Sequence, residues 1–243
     1  MSGHSKWSQI KHKKGIADAK KGQVFSKLAK IISVAAREGG PNPETNPQLR
    51  LAIERARASN MPGENIERAI EKASGQSGER IEVVTIEAFG PGGVAILINA
   101  TTDNKNRTLG ELRNIINDFG GKPANEGSVR WLFKEICRLV VLTEKRSVEE
   151  VELKAIEFGA EDVQKESGNQ KSLIVIGKSN ELEMLRKNFI EAGCKVELAE
   201  IDLVPENPVS LQQKDREKIL SLTEKLEEHP DVQGVYLNAS LQI

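Results

Sequence analysis

Apolar residues in the first third of the chain recur with the period of an α-helix. Three segments between residues 22 and 73 carry them at steps of three and four, which places them on one face of each helix. The pair Asn46-Pro47 is typical of a helix start, with asparagine as N-cap and proline at the first helical position. Three such helices predict a small bundle, closed by a linker at residues 74–78. The expected inward positions are Phe25, Leu28, Ile32 and Ala35, then Leu49, Ala52, Ile53 and Ala56, and last Ile66, Ala69, Ile70 and Ala73.

Residues 81–89 and 94–102 alternate between apolar and polar positions, which is typical of strands. The turn Gly90-Pro91-Gly92-Gly93 separates two alternating segments and predicts a hairpin. A helix and a further strand should follow. The expected elements are strands 81–89 and 94–102, a helix at about 107–119, and a strand containing Val129, Trp131 and Phe133.

Residues 136–201 follow the order β-α-β-β-α-β of a ferredoxin-like domain. An amphipathic helix at about 211–228 and a strand from Val232 to Leu237 come last and have no sheet of their own to join. We expect them to return to the sheet begun by residues 81–133. The elements of the ferredoxin-like segment are strands 136–142, 162–166, 172–177 and 195–201 and helices 147–158 and 180–192.

These patterns predict an α+β multidomain protein. Residues 1–78 should form a basic arm and an N-terminal three-helix domain, which we take as the nucleic-acid-binding part. A discontinuous α+β middle domain should comprise residues 79–134 plus 205–243, with an inserted ferredoxin-like βαββαβ domain at residues 135–204.

The formal net charge of −1 hides a strong asymmetry along the chain. Residues 1–75 hold 14 Lys and Arg against 7 Asp and Glu, a net +7, whereas residues 76–243 hold 21 against 29, a net −8. The first 37 residues alone contain eight Lys and one Arg against the single acid Asp18. A basic head on an acidic body favours contact with nucleic acid through the head.

The basic head also has residue types that suit phosphate and base contacts. Residues 1–20 have no apolar period, so we expect a mobile arm, in which Trp7 and two histidines are able to stack on bases. Lys27, Lys30 and Arg37 lie opposite the apolar stripe of the first helix and should face solvent. A plain solubility segment is the alternative. The candidate nucleic-acid-binding residues are Lys6, Trp7, Lys11, His12, Lys13, Lys14, Lys20, Lys21, Lys27, Lys30, Arg37, Arg50 and Arg57.

A second candidate contact follows the strand that ends near residue 102. It comprises Asn104, Lys105, Asn106 and Arg107, and the competing interpretation is an N-capping loop with Asn106 or Asp103 as the cap. Both readings stay open at this point.

Catalytic and metal-binding patterns are nearly absent from the sequence. None of the three histidines has a partner at metal-ligand spacing, and His229 is expected to contact the carbonyls that end the preceding helix. Cys137 and Cys194 are expected to be buried thiols rather than a disulfide. No apolar run approaches the roughly 20 residues of a membrane span. We therefore expect no catalytic residues, no metal, no cofactor and no membrane, and a cytoplasmic location.

Long stretches of the chain match the pattern of a known family. The matching stretches include Gly3-His4-Ser5-Lys6-Trp7, residues 10–14 and 18–28, Asn60-Met61-Pro62, residues 65–70, 90–93 and 102–108, Gly127-Ser128-Val129 with Trp131 and Phe133, and Asp231-Val232-Gln233 with Val235, Tyr236 and Asn238. On these stretches the chain closely resembles the YebC/PmpR family, to which the mitochondrial translational activator of cytochrome oxidase subunit I is also related. Ala88-Phe89 and Pro123-Ala124 depart from the family pattern and bear on local turn geometry.

The resemblance implies three domains, one helical and two α+β, and no assigned catalytic residues. It implies a DNA-binding transcriptional regulator or, as in some members, a ribosome-associated translation factor that eases synthesis through proline runs. The partner is accordingly DNA, or ribosomal RNA and the ribosome, with a protein partner for the acidic domains and a monomer rather than a stable oligomer. An enzyme with a site in a cleft between domains is the third hypothesis, and the sequence offers no converging polar set for it.

Overall fold

The computed structural model describes residues 18–74, 81–143, 146–165 and 171–240. These residues form two compact units, one running up to Lys134 and resuming at Val204, the other spanning Glu135–Leu203. The predicted α+β class is confirmed, with helices first and two antiparallel sheets after them. The finer division into three domains stays a prediction.

Three helices open the first unit: α1 (Asp18–Gly39), α2 (Pro47–Ala58) and α3 (Gly63–Ser74). The predicted apolar stripes face one another in a shared core, in which Ile32, Leu49 and Ala56 are fully buried. Phe25 and Ile70 pack at the edge of this core. The three-helix prediction is therefore confirmed.

Asn46 joins the first two helices through one side chain. Its Oδ1 accepts a hydrogen bond from the Leu49 N–H at 3.0 Å, so it is the predicted N-cap of α2. Its Nδ2 donates to the carbonyl oxygens of Ala35, at 2.7 Å, and Gly40, at 2.9 Å. A buried amide thus satisfies backbone groups at the end of α1 and at the start of α2.

The middle part of the first unit is a four-stranded antiparallel sheet with two helices on one face. Its strand order is β3-β1-β2-β8, so the last strand of the chain joins the sheet as expected. The buried face packs against helices α4 and α7, whose Leu112, Ile116, Ile219 and Leu222 are fully buried. The elements are β1 (Glu82–Phe89), β2 (Ala95–Thr102), α4 (Lys105–Asp118), β3 (Lys122–Pro123), α7 (Gln213–Glu227) and β8 (Val232–Leu237).

The hairpin prediction is also confirmed. β1 and β2 pair from Glu82 opposite Thr102 to Phe89 opposite Ala95. The connecting turn contains Gly92 at a φ of 72°, a left-handed conformation that favours glycine. The departure from the family pattern at Ala88-Phe89 therefore leaves the turn closed.

The strand predicted around Val129, Trp131 and Phe133 is wrong. Residues Arg130–Leu132 form a single 3₁₀ turn, and Phe133 begins the next strand. The backbone N–H groups of this loop go to the Glu87 carboxylate instead of a neighbouring strand, at 2.7 Å from Gly127, 2.5 Å from Val129 and 3.1 Å from Arg130. A loop whose donors are taken by one buried carboxylate has no ladder to form.

The second unit has the predicted ferredoxin-like topology. Its sheet order is β5-β6-β4-β7, in which the first and third strands of the motif lie at the centre. Phe158 and Phe189 meet edge to face at 5.1 Å between ring centroids. The elements are β4 (Phe133–Leu142), α5 (Val148–Glu157), β5 (Asp162–Lys165), β6 (Ser172–Lys178), α6 (Leu182–Glu191) and β7 (Lys195–Pro205).

The expectation for the two cysteines is confirmed. Cys137 and Cys194 are buried free thiols, and burial raises the pKa of Cys137 to about 11. Within the described residues, no helix combines the length and apolar character that a membrane-spanning segment needs.

Candidate nucleic-acid interface

Much of the predicted interface falls in the arm that precedes α1. Lys6, Trp7, Lys11, His12, Lys13 and Lys14 lie outside the described residues. Lys20 is in the first turn of α1, where the structure describes only its backbone. These positions stay predictions.

Lys27 does not face solvent, and that prediction is wrong. The residue is buried, and its Nζ donates to the carbonyl oxygen of Glu227 at 2.6 Å. Glu227 ends α7, so the lysine joins the helical bundle to the helix layer of the first sheet. Burial is the main cause that lowers the pKa of Lys27 to about 8, against a smaller rise from the Glu227 charge.

Lys30 lies one helical turn further on and is also held internally. Its ammonium pairs with a carboxylate oxygen of Asp231, just before β8, and three quarters of the lysine side chain is buried. At Lys27 and Lys30, the face of α1 opposite its apolar stripe is thus covered by the α+β part of the same unit. Both lysines are structural contacts, which removes them from the surface that a phosphate backbone would reach.

Asp231 accepts hydrogen bonds from three elements of the first unit. One carboxylate oxygen binds Lys30, and the other accepts from the Thr108 hydroxyl at 2.6 Å and from the Arg107 guanidinium at 3.1 Å. The Asp231 carbonyl oxygen also accepts the Thr101 N–H at 2.7 Å. Burial by itself would raise the pKa of Asp231, but the hydrogen bonds from Lys30, Thr108 and Arg107 outweigh it and lower the value to about 2.

The remaining described cations of the candidate set are more accessible. Lys21, Arg37 and Arg57 are exposed, and Arg50 is half-buried. Arg37 also donates to the Ile81 carbonyl oxygen at 3.2 Å. Arg50 and Arg57 are seven residues apart on α2, which puts them on one helix face about 10 Å apart along the axis.

The second candidate contact is mainly a helix cap. Asn104 is the N-cap of α4, because its Oδ1 accepts from the Arg107 N–H at 3.1 Å. The cap was expected at Asn106 or Asp103, so the capping interpretation was right in kind and wrong in residue. Arg107 pairs with Asp103 at 2.7 Å as well as with Asp231, whereas Lys105 and Asn106 are exposed.

Sequence reasoning missed the role of Asp231. Its signal was present, because an acid stands at a turn between an amphipathic helix and a strand that must be buried. The partners Lys30 and Arg107 are 201 and 124 residues away in sequence, and no periodicity links them.

Glu111, His229 and Asp231 bring three metal-ligand atoms close together. The hydrogen bonds argue against a metal. His229 Nδ1 accepts the Asp231 N–H at 3.2 Å, so Nε2 carries the proton and donates to Glu111 at 2.9 Å. Asp231 is already neutralised by two cations. The same bonds correct the expectation that His229 contacts the carbonyls of the preceding helix.

Lys27 and Lys30 join the basic helical part to an α+β sheet, and a ferredoxin-like unit is inserted in the chain of this first unit. Other proteins share this α+β architecture. The family model described as TACO1/YebC protein N-terminal domain matches residues 5–76. The model described as TACO1/YebC second and third domain matches residues 81–239. The chain therefore belongs to the TACO1/YebC family.

Relatives resemble the chain over its full length. A probable transcriptional regulatory protein of Dictyoglomus turgidum is 48% identical, with 98% of this chain and 95% of the relative covered. Another of that description, from Caldanaerobacter subterraneus, is 47% identical with 100% and 99% covered. The crystal structure of a conserved hypothetical protein from Aquifex aeolicus matches with a TM-score of 0.86 and 44% identity, covering 97% of each chain.

Proposed function

We propose that the protein is a non-enzymatic, nucleic-acid-binding regulator of gene expression whose contact lies in its basic N-terminal part. The observation that carries this proposal is the charge asymmetry, a net +7 over residues 1–75 against −8 over the rest. Clustered lysines attract phosphates without reading sequence.

The internal pairing of Lys27 and Lys30 sharpens the proposed interface. With these two cations bound to Glu227 and Asp231, the phosphate contacts come from the arm lysines, Lys20 and Lys21, and from the arginines of α1 and α2. The interface then begins where the arm enters α1 and continues along the helical part to Arg37 in the last turn of α1.

The proposed target is DNA, in the role of a transcriptional regulator. The names of the relatives from Dictyoglomus turgidum and Caldanaerobacter subterraneus support this choice. Promoter duplex should then compete better than RNA of equal length and charge.

A ribosome-associated translation factor is the second candidate function. The composition of the arm favours it, because lysines interleaved with glycine, histidine and Trp7 suit a segment that orders on structured RNA. This role would make ribosomal RNA the target and would ease translation, including synthesis through proline runs.

The remaining parts of the proposal concern location and partners. The protein is proposed to act in the cytoplasm. The acidic second unit, with ten Lys and Arg against fifteen Asp and Glu over residues 135–203, is proposed to meet a protein partner rather than phosphate. The protein is proposed to act as a monomer and without a cofactor.

Crosslinking in cells, followed by sequencing of the bound DNA and RNA, decides between the two targets. Enrichment of promoter DNA supports the transcriptional role, and enrichment of ribosomal RNA supports the translational one. Recovery of neither nucleic acid above an unrelated control protein of matched net charge would overturn both.

A further inference from the structure

Trp131 is a large apolar side chain that the fold leaves in solvent. Its relative exposure is 69%, the highest among the large hydrophobic residues in the described part of the chain. The residue lies in the 3₁₀ turn Arg130–Leu132, between the first sheet and β4. Tryptophan combines a large apolar body with one polar edge, so an exposed indole is a candidate contact for a partner.

The backbone that carries Trp131 is firmly fixed. The Glu87 carboxylate accepts three N–H groups from Gly127, Val129 and Arg130, and the last of these directly precedes the tryptophan. Leu132 is held on the other side, because its carbonyl oxygen accepts the Glu206 N–H at 3.0 Å. Although burial opposes it, these bonds lower the pKa of Glu87, so the carboxylate stays charged and the clamp persists at neutral pH.

The indole is oriented as well. Its Nε1–H donates to the Ser128 carbonyl oxygen at 3.0 Å, so the polar edge of the ring is satisfied within the loop. What remains for a partner is the aromatic face. A side chain already held in one orientation loses little entropy when something stacks on it.

The surroundings of Trp131 fit a nucleotide better than a protein partner. The other large hydrophobics exposed in the described residues of this unit are Val83, Phe89 and Val209. Phe89 shares the sheet face of Glu87, two residues along β1, whereas Val83 lies six residues from Phe89, about 20 Å away along the strand. Val83 and Phe89 therefore do not form one continuous apolar patch.

The local charge is mixed. Residues 122–135 carry Lys122, Arg130 and Lys134 against Glu126 and Glu135. Lys122 pairs in register with Phe89, which places a cation beside the second exposed ring. An aromatic face with nearby cations is the usual platform for an unpaired base.

We infer that Trp131 is a base-stacking platform, at which the first unit binds an unpaired nucleotide of a single-stranded nucleic acid. This inference rests on the proposed function and adds to it a second contact, distinct in chemistry from the basic arm. The arm attracts phosphates and its contribution falls with salt, whereas stacking on Trp131 depends on the base and varies little with salt.

The test uses the full chain in a W7F background, in which Trp131 is the sole tryptophan. Single-stranded oligonucleotides should quench its fluorescence, and inorganic polyphosphate of equal charge should not. W131A should weaken single-strand binding by roughly five- to a hundredfold at every salt concentration with an unchanged salt slope, and W131F should retain most of the affinity. A fully duplexed oligonucleotide of the same sequence should show little effect of W131A.

The outcomes separate this inference from the proposed function. If W131A binds single strands as tightly as the W7F parent does, the stacking inference is wrong while the proposed function stands. If the unsubstituted chain binds no nucleic acid at any salt concentration, the proposed function falls with it. Circular dichroism of W131A against its parent checks folding, and an unchanged melting temperature is expected because the ring is exposed.

Discussion

The Lys30 ammonium and the Asp231 carboxylate form an ion pair across 201 residues of sequence. The pair attaches the first helix to the turn that precedes the last strand. Together with the Lys27 contact to Glu227, it makes the helical part and the first sheet one compact unit. Two lysines from the most basic stretch of the chain therefore make internal contacts that stabilise the fold.

Replacing Asp231 tests this attachment. D231N keeps the shape of the side chain but removes the charge that neutralises Lys30 and Arg107, and we expect a loss of about 3 kcal/mol in the free energy of unfolding at pH 7. Denaturant unfolding measures it. D103N, at the exposed partner of Arg107, is the matched control and should change stability by less than about 0.5 kcal/mol. Equal effects of the two variants would contradict a special role for Asp231.

The same carboxylate predicts an acid dependence. Because the pKa of Asp231 is lowered from 3.8 to about 2 in the folded state, its stabilisation is present above pH 4 and is lost as the pH falls through 2. The shift corresponds to about 2 kcal/mol. The stability difference between the parent and D231N should shrink by this amount between pH 5 and pH 2, and a constant difference would count against the ion pair.

Lys27 predicts a second rise of stability with pH, in the alkaline range. Its pKa is lowered by burial from 10.5 to about 8, so between these values the unfolded chain keeps a proton that the folded chain has released. Unfolding free energy should therefore rise with pH in this window, by about 2 to 3 kcal/mol relative to K27M. Denaturation of both variants at pH 7.5, 9 and 10.5 measures this rise. Parallel pH profiles would show that Lys27 has an ordinary pKa.

Measuring both stability and the salt slope of nucleic-acid binding should distinguish a structural cation, Lys30, from a surface cation, Arg57. K30Q should reduce stability by about 2 kcal/mol and leave the salt slope of nucleic-acid binding unchanged. R57Q, at an exposed position of α2, should leave stability unchanged and make the slope shallower by about 0.9 if the arginine contacts a B-DNA phosphate. A changed slope in K30Q, with none in R57Q, would reverse the assignment of these two cations.

Glu87 should control the loop that carries Trp131. E87Q turns one carboxylate oxygen into an amide donor that faces at least one of the three backbone N–H groups, and we expect a loss of about 2 kcal/mol in stability. In the W7F background the fluorescence anisotropy of Trp131 should fall, because the loop is released. T85V, two residues away on the same exposed sheet face, is the control. Unchanged anisotropy in E87Q would show that the clamp does not fix the indole.

The sequence predicts elements whose signals are local. The stripes around Ile32 and Leu49 and the turn at Gly92 each lie within one or two elements, so periodicity and turn chemistry find them. Lys27 and Lys30 show the limit, because a helical wheel gives the face opposite the bundle core but does not reveal that a second layer covers it.

The strand prediction at Val129 fails for a related reason. Its alternation with Trp131 and Phe133 imitates a strand, but a carboxylate 42 residues earlier takes the Val129 N–H. The candidate site divides in the same way. The sequence shows the charge asymmetry. It does not show which cations remain exposed, because that depends on their tertiary partners.

The salt dependence of nucleic-acid binding tests the central claim most directly. The full chain should be compared with a variant in which Lys6, Lys11, Lys13, Lys14, Lys20 and Lys21 are glutamine. With about six phosphates neutralised on B-DNA, log affinity should fall with log salt at a slope of about −5, and the variant's slope should be near −1. A salt-insensitive complex, or the same slope and affinity in both proteins, would contradict nucleic-acid binding through the basic arm.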